Sequence, residues 1–291
     1  MPKIKVSIII VFYSGPENLY KCLSSIKESR PETRYEVIAV DNSEKKEIKS
    51  KIAKEFYWVK YIESENRGYG AGNNLGAKHA QGEYLFILNP DTTLYKATLD
   101  TLVGFLDKRK NTAVVAPNLL DEEGRVFPQL GSRMLTPIRG MIALSFLNKL
   151  FPDNSVSREY WLKDVSMSKL REVDAVPGSA FLIRKEVFEK VGRFDENMFL
   201  FFEESDLGKR IKDAGYKIFI NPDAEVKHRW TLPREPSKKI DDYFRQSRFY
   251  YFKKHYGIIW ALTVEAFTRF SKWHAALLFI LFFSLVFILL K

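Results

Sequence analysis

The chain is short of cysteine and of acid. One cysteine, Cys22, among 291 residues excludes a disulfide framework and a thiolate metal cluster, and a reducing compartment is the simpler setting. Cys22 itself reads as a small side chain packed in a helix. Asp and Glu total 36 against 46 Lys and Arg, and the net charge of +10 calls for an anionic partner without saying which. No RNA- or DNA-binding motif is present, so nucleic acid is not the expected partner. Internal repeats and low-complexity tracts are also missing. No secretory leader is expected, because Met1–Lys5 runs directly into Val6-Ser7-Ile8-Ile9-Ile10-Val11, which is too short for a leader's apolar core and reads as a buried strand. There is no P-loop lysine motif. In the glycine-rich segment Asn66–Gly76 the third glycine falls one residue late for a dinucleotide fingerprint, and the turn after the first strand has only Gly15. Both facts argue against a Rossmann oxidoreductase.

What is present is a foldable chain, 46% hydrophobic and 28% charged, long enough for one large α/β domain or one domain with appendages. Strand and helix patterns alternate through the first half. Strands are expected over Val6–Tyr13, Tyr35–Val40, Val59–Ile62, Tyr84–Leu88 and Thr112–Pro117. Helices are expected over Pro16–Ser29, Glu47–Phe56, Gly70–Ala80 and Lys96–Lys108. That rhythm predicts a mostly parallel sheet with helices on both faces, in which ligands gather at the carboxyl ends of strands. Further on, Val173–Ile183 has strand character, Arg184–Val191 and Leu207–Ala214 are helical, and Lys217–Ile220 is a strand. The apolar stretch Ile138–Phe151 reads either as core packing or as a surface for a lipid-linked acceptor.

The end of the chain differs. Lys227–Lys254 carries nine Lys and Arg against three acids, and the apolar run Ala275–Leu290 is broken only by Ser284. As a helix its 16 residues would extend roughly 24 Å, a little short of the ~30 Å hydrocarbon core. Basic residues ahead of an apolar segment favour the cytoplasmic face of a membrane. The expectation is a membrane-associated helical tail over residues 257–291, holding a catalytic domain, residues 1–256, at that face.

Three acidic positions carry chemistry. Asp41 follows the strand ending at Val40, where a carboxylate can accept from a nucleotide base or a ribose hydroxyl; Asp-Asn-Ser is also a common turn. Asp91, in Asn89-Pro90-Asp91, follows another strand, and oxygen ligands there suit Mg²⁺ or Mn²⁺ bound to a diphosphate; it too can be read as a turn. Glu203 and Glu204, in Phe-Phe-Glu-Glu-Ser-Asp-Leu, are paired carboxylates beside aromatics. Such a pair can have one pKa raised toward neutrality, as suits a general base, or can simply face a helix N-terminus. The glycine-rich segment opens a helix where phosphate can be held. His228, after a strand around Ala224–Val226, lies past the acidic motif.

Taken in order, these segments resemble the family 2 glycosyltransferases with the GT-A fold, and in particular a bacterial rhamnosyltransferase-like branch. The resemblance is carried by Val-Ser-Ile-Ile-Ile-Val, Val-Asp-Asn-Ser, Glu-Asn-Arg-Gly-Tyr-Gly-Ala-Gly-Asn-Asn-Leu-Gly and Leu-Asn-Pro-Asp. It continues through Val-Pro-Gly-Ser-Ala-Phe-Leu-Ile-Arg, Val-Gly-Arg-Phe-Asp-Glu and Phe-Phe-Glu-Glu-Ser-Asp-Leu. It implies a GT-A fold with a nucleotide-sugar half (1–117) and an acceptor and catalytic half (118–256). It further implies Asp41 as the base-recognising carboxylate, with Asn66, Arg67, Gly68, Asn73 and Asn89 at the donor. Asn89 and Asp91 stand where the family has its metal-binding Asp-any-Asp, the first acid replaced by Asn, and His228 is similar to the histidine that completes the site. Glu204 stands where many relatives carry an Asp as catalytic base, with Glu203, Asp206 and Arg210 in support. The implied reaction is a displacement with inversion, using a divalent metal, in cell-surface polysaccharide synthesis. The implied donor is dTDP-rhamnose first, then UDP-linked galactofuranose, glucose or an N-acetylhexosamine, and the acceptor a glycan or a lipid-linked glycan. The competing readings are an inactive sugar-nucleotide or glycan-binding protein and a nucleotidyltransferase. The second lacks its basic, Gly-rich signature at Tyr13-Ser14-Gly15-Pro16-Glu17.

Overall fold

The computed structural model describes residues 3–128, 130–229 and 237–269. In chain order these form β1 (Val6–Phe12), α1 (Pro16–Ser29), β2 (Tyr35–Asp41), α2 (Lys49–Glu55), β3 (Val59–Glu63) and α3 (Tyr69–Lys78). Next come β4 (Tyr84–Leu88), β5 (Thr92–Leu94), α4 (Thr98–Asp107) and β6 (Thr112–Leu120). Three short helices follow, α5 (Pro137–Ala143), α6 (Phe146–Leu150) and α7 (Ser155–Tyr160), then β7 (Arg171–Val173), β8 (Ala180–Arg184) and α8 (Lys185–Lys190). The described chain ends with α9 (Glu203–Asp213), β9 (Lys217–His228), α10 (Lys238–Tyr256) and α11 (Ile258–Arg269).

The strands join one sheet in the order β3-β2-β1-β4-β8-β6-β9-β5, with β7 also on β9. β1 is β-branched and almost wholly buried, as a central parallel strand between two helical layers should be. The glycines of α3 let that helix lie directly on it: a Cβ at Gly72 would stand 2.7 Å from Val11, and one at Gly76 2.4 Å from Ile9. The chain goes from β1 outward to β2 and β3, then returns to β4 on the other side of β1. The ends of β1, β2 and β4 therefore flank a topological switch point.

The expected mostly parallel sheet is corrected to a mixed one. Of eight strand pairings among the described residues, four are parallel and four antiparallel. The strand character expected over Val173–Ile183 is two separate strands, and β8 runs against both β4 and β6. The loop between β7 and β8 is delivered to the end of β4, where the Asn89 N–H donates to the Ser179 carbonyl at 2.8 Å.

A second apolar cluster, with Leu135, Tyr160, Phe202, Tyr251, Phe252, Ala261 and Val264, joins α5, α7, α10 and α11. α10 is capped by Ser237, whose hydroxyl accepts from the Ile240 N–H, and stops at Gly257, where φ is 88°. A Cβ at Gly140 would meet Phe252 at 2.4 Å, so α5 sits hard against α10.

The membrane-associated C-terminal helix is corrected as well, and with it the membrane as a partner and the placement at the cytoplasmic face through that helix. No helix among the described residues is long and apolar enough to cross a membrane. The described part of the tail, α11, packs on α10 and α5 and buries Ala261 and Val264. Its Glu265 accepts from Arg248 of α10 at 2.7 Å, both side chains being largely buried. The apolar run Ala275–Leu290 lies outside the described residues.

Candidate active site

Asp41 ends β2 with its side chain fully buried. Its Oδ1 accepts from the Ser43 N–H at 2.8 Å and the Ser43 hydroxyl at 2.6 Å, and its Oδ2 from the Tyr61 hydroxyl at 2.6 Å. Burial, then the hydrogen bond to Asp41, holds the Tyr61 hydroxyl well above its ordinary pKa, so it stays a donor. Lys46 donates to the Asp41 and Ser64 carbonyls, both at 2.6 Å, and fixes the loop behind it.

Asn42 joins that strand end to the glycine-rich turn through the Gly68 carbonyl at 3.4 Å. Gly68 has φ 100°, and a Cβ there would lie 2.3 Å from the Phe199 carbonyl oxygen, so only glycine fits. The Asn66 side chain accepts from the Gly68 N–H at 3.2 Å. Asn73 is buried, donating to the Tyr69 carbonyl at 3.0 Å, while its Oδ1 has no hydrogen-bond partner. Arg67 pairs with Glu196 at 2.9 Å.

At the end of β4 the Asn89 carbonyl accepts from the Thr92 hydroxyl at 2.6 Å. The pairing of Thr92 with His228 then lays β5 against the end of β9. That pairing brings His228 Nε2 to 3.2 Å from Asp91 Oδ1, an oxygen that is buried and has no hydrogen bond. The Arg229 N–H donates to the Asp91 carbonyl at 2.9 Å. Asp91 opens onto a polar cleft of about 340 Å³, lined also by Lys21, Glu122, Lys227 and Arg229. No third His, Cys, Asp or Glu joins Asp91 and His228 as a metal-ligand cluster among the described residues.

The acidic pair begins α9. Phe201 and Phe202, just before it, both hold left-handed backbone, φ 71° and 67°, a conformation that costs a bulky residue roughly 1–2 kcal/mol each. The strain sends Phe201 to a cleft wall and Phe202 into the helical cluster. Glu203 is buried, and its Oε2 has no donor. Burial and then the neighbouring Glu204 charge push its carboxyl well above the ordinary range. Burial also raises Glu204, partly offset by backbone N–H groups, one from Gly178. A Cβ at Gly178 would stand 2.2 Å from Glu204 Oε1, so the glycine is what lets that carboxylate approach the β7–β8 loop. Tyr69 donates to the Gly178 carbonyl at 2.5 Å, and burial, then the two glutamates, raise its hydroxyl well above the usual value.

Asp206, also fully buried, has the opposite surroundings. Arg210 donates to its Oδ2 at 2.8 and 2.5 Å, Lys254 to its Oδ1 at 2.6 Å, and His255 Nε2 lies 2.7 Å from Oδ1. Burial alone would raise this carboxyl. The His255 hydrogen bond, the Arg210 charge and Lys254 outweigh it and hold Asp206 far below the usual carboxylate range.

Thus the structure brings Asp91 to His228, Glu203 to Glu204, and Asp206 to Arg210, and links Asn89 to Glu204 through Ser179 and Gly178. The Lys254-His255-Tyr256-Gly257 segment is part of the family resemblance but carries no assigned role there; Lys254 and His255 reach Asp206 from α10. Sequence reasoning missed Tyr69, Gly178 and the aromatic wall of Phe127, Tyr160 and Trp161. Gly178 lies inside Val-Pro-Gly-Ser, a segment legible as a motif with no role attached.

Residues 7–192 match glycosyl transferase family 2. Over 264 residues the chain is 25% identical to an N-acetylglucosaminyl-diphospho-decaprenol L-rhamnosyltransferase of Mycobacterium tuberculosis, covering 86% of this chain and 85% of that protein. It is 25% identical over 231 residues to the rhamnosyltransferase WbbL of Escherichia coli, covering 75% and 80%. In fold it is similar to GalNAc-T7, solved with UDP, GalNAc and Mn²⁺, with a TM-score of 0.62 at 18% identity, over 86% of this chain and half of that one. With a family match across most of the sheet, the chain belongs to glycosyl transferase family 2 and is a nucleotide-sugar-dependent glycosyltransferase.

Proposed function

We propose that the chain is an inverting transferase that moves a sugar, rhamnose from dTDP-rhamnose in the first instance, to a glycan or lipid-linked glycan in cell-surface polysaccharide synthesis. The observation that carries this is Glu204. It is a half-buried carboxylate of raised pKa at the edge of an open cleft, tied by Gly178 and Ser179 to the strand end bearing Asn89 and Asp91. Residues 1–117 serve the donor, with Asp41 toward the base and Asn66, Gly68 and Asn73 at the glycine-rich turn. Residues 118–256 supply the acceptor side. The rhamnosyl donor is supported by two relatives named rhamnosyltransferases.

The acceptor oxygen attacks the anomeric carbon as the bond to the diphosphate breaks. Its proton passes to Glu204, and the nucleoside diphosphate leaves with the bonding electrons. Burial raises Glu203 further than Glu204, which favours Glu204 as the proton acceptor of the pair. Asp206 and Arg210 keep the first turn of α9 in place.

Asp91 and His228 suit a Mg²⁺ or Mn²⁺ ion, since Asp91 Oδ1 is buried without a hydrogen bond. Two protein donors with substrate phosphates completing the shell is a usual arrangement for Mg²⁺. Such an ion would supply charge neutralisation for the departing diphosphate. Lys21, Lys227 and Arg229 add positive charge in the same cleft.

The test is a panel of nucleotide sugars scored for nucleoside diphosphate release, with Mg²⁺, Mn²⁺ or EDTA. Release fastest from dTDP-rhamnose and abolished by EDTA and by Asp91→Ala is expected. Release from a UDP-sugar alone replaces the donor, and equal release in EDTA removes the metal.

A further inference from the structure

A second cleft, of about 470 Å³, opens beside Glu204. That volume is in the range of small-molecule sites. Its walls include Phe127, Tyr160, Trp161 and Phe201, and Glu204 lies at one side with Ser132 and Ser205. No Lys or Arg is among the described residues that line it. The cleft around Asp91 is the reverse, with Lys21, Lys227 and Arg229 and no aromatic residue among the described residues lining it.

This partition sorts ligands by charge. A diphosphate moved into the aromatic cleft would shed water without gaining a cation, which is costly. A hydrocarbon chain would fit the rings but would strip water from the Glu204 and Ser205 polar atoms at the rim without replacing its hydrogen bonds. A neutral pyranose meets both conditions. One face of its ring presents C–H bonds, whose partial positive charge is attracted to the negative face of an aromatic ring. Its hydroxyls supply the donors and acceptors at the rim.

The two best-placed rings are set by local structure. Trp161 follows α7 and packs edge-on against buried Tyr160, ring centroids 4.5 Å apart. Its backbone N–H donates to the Ser157 carbonyl at 3.0 Å, which anchors the residue to the end of α7, and Leu162 after it holds φ 53°. Phe201 is turned to the cleft by its own left-handed backbone, two residues before Glu203. A platform fixed in this way loses little freedom on binding.

Resting on Glu204 as the proton acceptor of the reading above, we propose that this cleft is the acceptor subsite. It selects a neutral pyranose by stacking the C–H face of the ring on Trp161 and Phe201, with one hydroxyl turned to Glu204. An acceptor carried on a phosphate is then recognised by its sugar, and the phosphate lies outside the cleft.

The experiment uses the full chain and saturation-transfer NMR with methyl β-glycosides of glucose, galactose and N-acetylglucosamine, beside hexane-1,2-diol and inorganic pyrophosphate. At least one glycoside should show transfer strongest at the C–H protons of one ring face. Its affinity should drop about tenfold in Trp161→Ala and recover in Trp161→Phe. Tighter binding of the diol, displacement of the glycoside by pyrophosphate, or equal affinity in Trp161→Ala overturns the proposal. A loss of melting temperature in Trp161→Ala is controlled by Trp161→Phe, which keeps the ring. Nucleoside diphosphate binding to the wild type, measured alongside, separates the two readings. If it persists while the glycosides fail, only the acceptor subsite falls; if it too is missing, the transferase reading falls with it.

Discussion

Helix α9 holds two kinds of carboxylate within four residues. Glu203 and Glu204 stand at its start with few donors around them, and burial drives both toward the neutral form. Asp206, in the same first turn and fully buried, accepts from Arg210, Lys254 and His255 and stays ionised far below the usual range. The helix dipole favours negative charge at all three, so it cannot be what separates them. The difference is the number of donors reaching each group, and these come from elsewhere in the chain. Gly178 and Tyr69 admit Glu204 to a cleft, whereas α10 swings Lys254 and His255 onto Asp206. One element therefore presents a group able to take up a proton and, beside it, a group that cannot.

The largest effect should come from the first kind. Glu204→Gln keeps the shape and removes the proton acceptor, so turnover should fall by roughly 10²–10⁴-fold with donor affinity little changed. Steady-state rates with a titration of nucleoside diphosphate decide it. A variant that turns over normally but binds donor poorly would place Glu204 with the binding groups and break the contrast.

Asp206→Asn should act on stability instead. Removing one partner of a buried charge cluster costs about 3–5 kcal/mol, read as a lower denaturation midpoint in urea. Arg210 and His255 would lose this counter-charge, while Lys254 would keep Asp195, 2.7 Å away. A full loss of turnover at unchanged stability would make Asp206 part of the chemistry and erase the distinction.

A smaller, graded effect is expected from pH. Because the folded-state pKa of Glu204 is raised, the base is lost to protonation above the ordinary glutamate value of about 4.3. kcat/KM should therefore fall with decreasing pH, about tenfold per unit, from a midpoint above that value. The two glutamates interact, so this midpoint belongs to the pair. A midpoint at or below the ordinary value would show that the pair is solvated.

How much of this contrast could be read from the sequence depends on how far apart the partners lie. β1, α1, β2 and β4 are legible because β-branched runs, Pro16 at a helix start and Asp41 and Asp91 at strand ends are local signals. Glu203 and Glu204 are legible as a pair for the same reason. α10 is not, since its 19 residues mix Lys, Arg, Phe and Tyr without a clean apolar stripe. They read as a basic stretch rather than as a helix whose Tyr251 and Phe252 are core. Lys254 and His255 reach Asp206 across 48 and 49 residues, a contact that no spacing rule predicts. The antiparallel β8 is hidden because strand character reads straight through Asp174, Pro177, Gly178 and Ser179, which belong to the loop after β7. The tail misled for a different reason: Ile258–Arg269 is apolar in composition, yet Ala261, Val264 and Glu265 face α10, and composition does not say what a face packs against.

The finest test of the contrast is Glu203→Gln, where the expected change is smallest and its sign matters most. Burial and the Glu204 charge raise the Glu203 pKa in the folded state, so the folded protein holds a proton there that the unfolded chain releases above about pH 4.3. Folding then takes up a proton, and the stability contributed at this site declines as pH rises through the folded value. Glutamine imitates the neutral acid in shape and cannot ionise. At pH 5 the variant should therefore lie within about 0.5 kcal/mol of wild type, and it should gain on wild type as the pH is raised toward 9. Asp206 works in the other direction: its pKa is depressed, so its contribution is lost as pH falls from the ordinary aspartate value of about 3.9 toward the folded one. Urea denaturation of wild type and Glu203→Gln at pH 5, 7 and 9 reads the difference. A constant destabilisation across all three would mean that Glu203 is charged and paired in the folded state. The two ends of the first turn would then not differ in the way their donors imply.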